Sequence, residues 1–430
     1  AYALDANTTA SDNTAVGFNA LSDNTTGTYN TAVGRSALGS NTTADRNTAF
    51  GYGALQSNTT GSSNNAFGEL SMSTNTTGNQ NCAFGRESLK TNNGNYNNAF
   101  GHQTLENNTT GSQNVAIGLN ALTANTTGSY NVAIGHAALT TSTTISNNTA
   151  VGHEAMTSNT TGALNAAFGY KALRNNTEGN RNTGIGYQAL EDNTNGYYLT
   201  ALGYSAMEAG GGVGSVGLGY KALEDYGDGY SVGVGYEAGK SGGGQDGVWL
   251  GNSAGKNSSG ATRSIGIGKN AGKSSTATDS IYIGHNAGDS NSSNDHIYIG
   301  NGTPASNGTL IKGNMSTGRI AVGSADVTLS DTFYVGVSSS SENGIVVKGA
   351  VSQSADLTQW KNSSDVVLAS VSNSGVVTGN AISASGNGLK LASVTPVSTS
   401  NTLYNVNSIL HWNGLAIGTP SGVPSGVAFF

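Results

Sequence analysis

Several short runs in this 430-residue chain have the residue types of reactive sites. AGKS stands at 238–241 and again at 271–274, resembling the end of a phosphate-wrapping loop. That loop needs a glycine five residues before its Gly-Lys pair, and those positions hold Val234 and Ile267. Gly212, Gly214 and Gly217 have GxGxxG spacing, but neither a βαβ unit nor a following helix accompanies them. His102, His136, His153 and His285 share one slot after a recurring glycine, where a threefold axis would gather them into a ring. The same slot also takes Tyr, Leu, Glu and Arg, which argues against a metal site. Glycoside cleavage needs two carboxylates about 5–10 Å apart. The nearest pairs, Glu191–Asp192 and Glu224–Asp225, are adjacent residues, which point to opposite faces of a strand. Cys82 reads as a small buried side chain, and no cofactor is implied.

Composition narrows the class. The chain carries 64 glycines, 36 % hydrophobic residues and 10 % charged residues, against about 25 % charged in ordinary globular domains. A net charge of −7 is too weak for disorder by self-repulsion and has the wrong sign for a nucleic-acid binder. No apolar run reaches the 18 or so residues of a membrane helix. One cysteine excludes an intrachain disulfide framework.

The elements that would hold these residues follow from an internal repeat. A glycine preceded by one large apolar and one small residue recurs at Gly17, Gly34, Gly51 and onward to Gly300, always 16 or 17 residues apart. The slot one before this anchor is always large and apolar, from Val16, Val33, Phe50 and Phe67 to Ile299. The slot two before is mostly Ala or Gly, with Trp249, Tyr282 and Tyr298 as late exceptions. The slot four after is Leu or Met from Leu21 to Leu223. Four before, Asn recurs without a break at Asn13, Asn30, Asn47, Asn64, Asn81, Asn97, Asn114, Asn131, Asn148, Asn165 and Asn182. Ala3 and Leu4 fill the slots after an anchor that would precede Ala1, so the first coil is expected to be cut and the chain to be part of a longer one.

Seventeen residues are too few for a helical repeat. Alternation around the anchor has the period of a strand, and NTTG or SGGG runs are turn formers. The fold class is therefore all-β: a parallel β-solenoid of about eighteen coils, each strand pairing with its equivalents above and below. At roughly 4.8 Å per coil the stack is on the order of 85 Å long. Stacking predicts an amide ladder in the Asn column and an aromatic ladder at Tyr170, Tyr187, Tyr204, Tyr220 and Tyr236. The sequons at Asn24, Asn58, Asn75, Asn108, Asn125 and Asn159 coincide with turns and read as turn residues. The Thr pairs beside them are too interrupted, as at Thr43-Ala44 and Asn93-Gly94, for an ice-binding array.

The expected core is thin: the apolar residue before the anchor, the Leu after it, and often the residue three before. Such a coil needs a partner. The Ala/Gly column two before the anchor would let neighbouring backbones approach, so a homo-oligomer, specifically a homotrimer, is expected.

NTAVG at 30–34, NVAIG at 131–135 and SIGIG at 264–268 resemble the repeats of trimeric autotransporter adhesin heads. The resemblance covers residues 1–302 and implies trimers of left-handed parallel β-rolls. Further on, ADLTQW at 355–360, LASVSNSG at 368–375, NTLYNV at 401–406 and WNG at 412–414 are similar to modules of bacteriophage tail fibres. They imply an extracellular virion appendage, or alternatively a bacterial cell-surface adhesin.

Five regions are expected: Asn/Thr-rich coils at 1–203, Gly/Ser-rich coils at 204–302, a hairpin connector at 303–350, a small β module at 351–379 and a terminal fibre module at 380–430. The chain reads as a non-enzymatic spacer carrying attachment to a surface glycan or protein receptor, with no nucleic-acid partner and no membrane insertion. Tyr404, His411 and Trp412 are the candidate receptor contacts. A carbohydrate-degrading tailspike is the enzymatic alternative.

Overall fold

The computed structural model describes residues 2–210, 212–225, 229–242, 245–302 and 309–317, together with the strands given below beyond them. Among the described residues there is no helix. Strands β1 to β17 have three residues each, from Thr14–Val16 to Ile281–Ile283, and β18 spans His296–Gly300. Each pairs in parallel with the next, slot on slot: Val16 on Val33, Val33 on Phe50, Phe50 on Phe67, and so to Ile283 on Ile299. The parallel β-solenoid is thus the fold.

Each strand ends at the anchor glycine, whose φ lies between 123° and 143°. A β-carbon there would come within 2.0–2.7 Å of the next anchor's carbonyl oxygen. Only glycine lets consecutive coils bend at the same height. The Leu or Met four residues on is itself held in the left-handed region, at φ 49–56° from Leu21 to Leu223. Such a conformation costs a non-glycine residue about 1–2 kcal/mol, so the packing of every coil must hold it in place.

The core keeps the expected Leu column, fully buried from Leu21 to Leu223, but differs from the expected one in the strand. The Ala two before the anchor, not the large residue beside it, faces inward. Ala32, Ala49 and Ala66 are fully buried against the column of Leu38, Leu55 and Met72. In a strand of period two the slots one and three before the anchor share the opposite face, and Val16, Phe50, Phe100 and Leu202 point outward and are exposed. A coil of 16 or 17 residues encloses one Leu or Met and small residues around it, as Ala32, Ala37 and Leu38 show, leaving no room for a second large side chain from the strand. The Ala column therefore fills the interior and cannot be where neighbouring chains approach. Cys82, three before its anchor, is likewise half-buried on the outer side of its strand, not in the core.

From Trp249 onward the interior is rebuilt. Trp249, Tyr282 and Tyr298 occupy the inward strand slot and are buried, while Gly239, Gly255, Gly272 and Gly288 replace Leu at φ 61–65°. A β-carbon on Gly255 would lie 2.1 Å from the Trp249 ring. Small-plus-Leu has become aromatic-plus-Gly at one backbone geometry.

The parallel stack ends at β18, against which β19 (Thr309–Asn314) runs antiparallel. β20 (Arg319–Val322) returns beside β19 as the expected hairpin. β21 (Phe333–Val335) then pairs with β20 in parallel, so that connection is not a hairpin. The first compact unit is Ala1–Gly344 and the second Ile345–Phe430. The second holds two three-stranded antiparallel sheets, Thr358–Lys361, Val367–Val371 and Val377–Gly379, then Leu403–Val406, Ile409–Trp412 and Leu415–Gly418.

Candidate functional site

Polar ladders hold the coils in register. In the expected Asn column each side chain works twice. Asn131 Oδ1 accepts the Asn148 backbone N–H at 3.0 Å, and Asn131 Nδ2 donates to the Ile145 carbonyl at 2.8 Å. The column therefore ties side chain to backbone more than amide to amide. Its run from Asn13 ends where Asn182 Oδ1 accepts the Leu199 N–H.

A second ladder lies in the turns, at the sequon asparagines. Asn41 donates to Asn24 at 2.8 Å, Asn58 to Asn41 at 3.0 Å and Asn75 to Asn58 at 2.9 Å. These side chains are fully buried, which bears out the turn reading. The chain of amides breaks at Ser142, leaving Asn125 Oδ1 buried without a hydrogen-bond partner. The recurring Asn of NTTG was visible in the sequence, but its inward direction was not.

A third ladder, six before the anchor, uses Asp45, Ser62, Asn79, Asn95 and Ser112 to accept the N–H of the coil before.

The aromatic ladder forms as expected. Tyr170, Tyr187, Tyr204, Tyr220 and Tyr236 stack with centroids 4.9–5.3 Å apart. His153 extends it at 5.4 Å from Tyr170, with His136 at 4.9 Å beyond. Two stacked rings do not make a ligand set, and no group of three or more His, Cys, Asp or Glu that could hold a metal occurs among the described residues.

Across the anchor glycines lies an outward apolar file. Phe50, Phe67, Phe84 and Phe100 stack at 6.0, 4.4 and 5.1 Å. The file continues through Ile117, Phe168, Ile185, Leu202, Val234, Ile267 and Ile283, all exposed. It runs the length of the solenoid.

Charged groups beside the Leu column are mutually neutralised. Glu224 binds Lys221 and Lys240 at 2.5 Å each, and Glu237 binds Lys240 at 3.6 Å and Lys256 at 2.7 Å. The Lys256 hydrogen bond holds the Glu237 carboxyl below its usual range, and Glu224 holds Lys240 above its own. Lys240 belongs to the first AGKS run, so its ammonium is engaged by carboxylates. Asp225 accepts from Ser241 and Asp192 from Asn175, both at 2.7 Å, while Glu191 faces Lys171 and Arg174. Neither carboxylate pair is brought together as a unit. Burial pushes the Cys82 thiol up, and burial beside Tyr282 pushes the Tyr298 hydroxyl to about 12.

The backbone pairs Tyr404 with His411 and Leu403 with Trp412 across one antiparallel turn of chain. The side chains of Tyr404, His411 and Trp412 lie outside the described residues.

Fold and site together define a parallel β-solenoid with ladder-stabilised coils and an apolar outer file. No protein family, curated protein or solved structure matches this chain.

Proposed function

We propose that the chain is a non-enzymatic shaft of an extracellular attachment appendage, a phage tail fibre or similar virion part. Three copies associate along the outer strand faces. The observation carrying this reading is the apolar file from Val16 to Ile283, exposed at 58 % and 37 % at those two residues. Contiguous apolar surface of that extent is uncommon on a monomer. A straight file repeating once per coil is matched in period by another copy of the same solenoid. The threefold count rests on the resemblance of the coil motif to trimeric adhesin heads. The virion location rests on the similarity of the C-terminal passages to tail-fibre modules. A bacterial cell-surface adhesin head is the second reading, favoured by the coil motif itself. Engagement of Glu191, Asp192, Glu224 and Asp225 with other side chains favours a structural role over a carbohydrate-degrading one.

Light scattering on the full chain tests assembly. Three times the 43.1 kDa chain mass is expected, and a folded 43.1 kDa particle would overturn it. Phe67→Asn with Phe84→Asn should lower the mass while the circular dichroism of the strands is kept.

A further inference from the structure

A different edge of the stack, five residues before each anchor, carries tyrosines in another arrangement. Tyr29, Tyr96, Tyr130, Tyr198 and Tyr230 stand there, separated by two or four coils. Unlike Tyr187, which is sandwiched at 4.9 Å by Tyr170 and Tyr204, these rings do not stack on one another. Tyr96 has Gln80 and Gln113 in the flanking coils, and Tyr130 has Gln113 and Asn147. Tyr96 and Tyr130 are 54 % and 58 % exposed.

The surroundings of this pair are uncharged. From residue 62 to residue 147 the two slots of this edge hold only Ser, Asn, Gln and Tyr. Tyr96 walls an open depression of about 320 Å³ shared with Ser62, Ser63, Asn79, Gln80 and Asn95. The Oδ1 atoms of Asn79 and Asn95 are committed to backbone N–H groups. The side chains of Gln80, Ser63 and Tyr96 make no hydrogen bond to described residues, and Gln80 and Tyr96 are exposed. Outside this stretch the edge changes character, with Arg46 over Tyr29 and Arg181 over Tyr198.

A pyranose has an apolar C–H face that seats on an open aromatic ring, and a rim of hydroxyls that pair with amides. Two coils advance about 10 Å along the stack, the length of an extended disaccharide. We propose that this edge binds a neutral, extended polysaccharide lying along the solenoid axis, with Tyr96 and Tyr130 as ring platforms and Gln80 and Gln113 as amide partners. The proposal rests on the attachment reading and names its ligand class, but it uses a face separate from the apolar file.

Affinity electrophoresis of the full chain tests it, in gels containing mixed-linkage β-glucan, glucomannan, galactan or dextran, with alginate as the anionic comparison. At least one neutral polymer should retard the protein. Tyr96→Ala with Tyr130→Ala should weaken that retardation about tenfold, whereas Tyr187→Ala with Tyr204→Ala should leave it within twofold of the parent. Gln80→Ala with Gln113→Ala, which removes no ring, should weaken it by a smaller factor and covers any misfolding of the tyrosine pair. Retardation by no neutral polymer, by alginate alone, or equal loss in both tyrosine pairs would overturn the proposal. A monomeric scattering mass with retardation intact would remove the assembly reading and leave this one standing.

Discussion

The coils before and after residue 203 share one backbone and use two chemistries to hold it. In the first section Ala and Leu fill the interior and asparagine ties the coils. In the second, Ser215 Oγ accepts the Ser231 N–H at 3.1 Å and Ser280 Oγ accepts the His296 N–H at 3.2 Å, in the slot that Asn had occupied. The Leu slot passes to glycine once aromatic rings enter from the strand. The anchor glycines alone keep identity and geometry throughout. What the fold demands is therefore the bend, a filled layer, and an acceptor for each N–H; the residue meeting the last two is exchangeable.

The largest expected effect tests the exchange of ladders. Asn131→Ala strips a partner from the buried Asn148 N–H and the Ile145 carbonyl, and should cost about 3 kcal/mol. Ser280→Ala removes two part-buried contacts, to the Thr278 carbonyl at 3.0 Å and from the His296 N–H at 3.2 Å, whose partners water can reach, and should cost about 1 kcal/mol. Equal losses in thermal melts of the two variants would break the comparison.

A second experiment tests the exchange of interiors. Gly255→Leu restores the first-section residue in the second, against the Trp249 ring, and overpacking should cost about 2 kcal/mol. Adding Trp249→Ala should recover most of that loss. A double variant no more stable than Gly255→Leu alone would show that the two changes are unrelated.

The smallest effect is electrostatic and belongs to the Lys221–Lys256 ladder. Glu237 has a folded pKa below its ordinary 4.5. Its contribution is therefore complete above pH 4.5 and is lost as pH falls through the depressed folded value. Lys240 is raised above 10.5, so its contribution is complete below that pH and is lost as pH rises through the raised value. Glu237→Gln should flatten the acid side of a profile of unfolding free energy against pH by at most about 1 kcal/mol.

Much of this was legible in the sequence because stacking turns periodicity into contact. The register of Val33, Phe50 and Phe67, the Asn column and the Tyr column all follow from position alone. What periodicity could not settle was direction. Phe67 and Ala66 alternate whichever of them faces inward, and choosing the larger as core is sound only for a chain whose apolar faces are all internal. Here the larger residue lies outside, and hydrophobicity alone does not say which of two alternating apolar slots faces inward. The turn asparagines show the same limit: their turn role was read correctly, but Asn24 and Asn58 satisfy turn rules at any exposure, and only coordinates reveal them buried. Trp249 and Gly255 were each conspicuous, but their compensation joins a strand slot to a turn slot, which is a volume argument and not a spacing one.

The reversal at β19 has a consequence for growth. A parallel stack presents, at its last rung, the same row of donors and acceptors that seeded every rung before it, and a like segment from another molecule could seat there and extend it indefinitely. Residues Thr309–Asn314 fold back onto that row in the opposite sense, so the chain's own backbone occupies the template. A like coil arriving at β18 therefore finds its parallel template already taken by the antiparallel β19, so the stack cannot be continued there rung for rung.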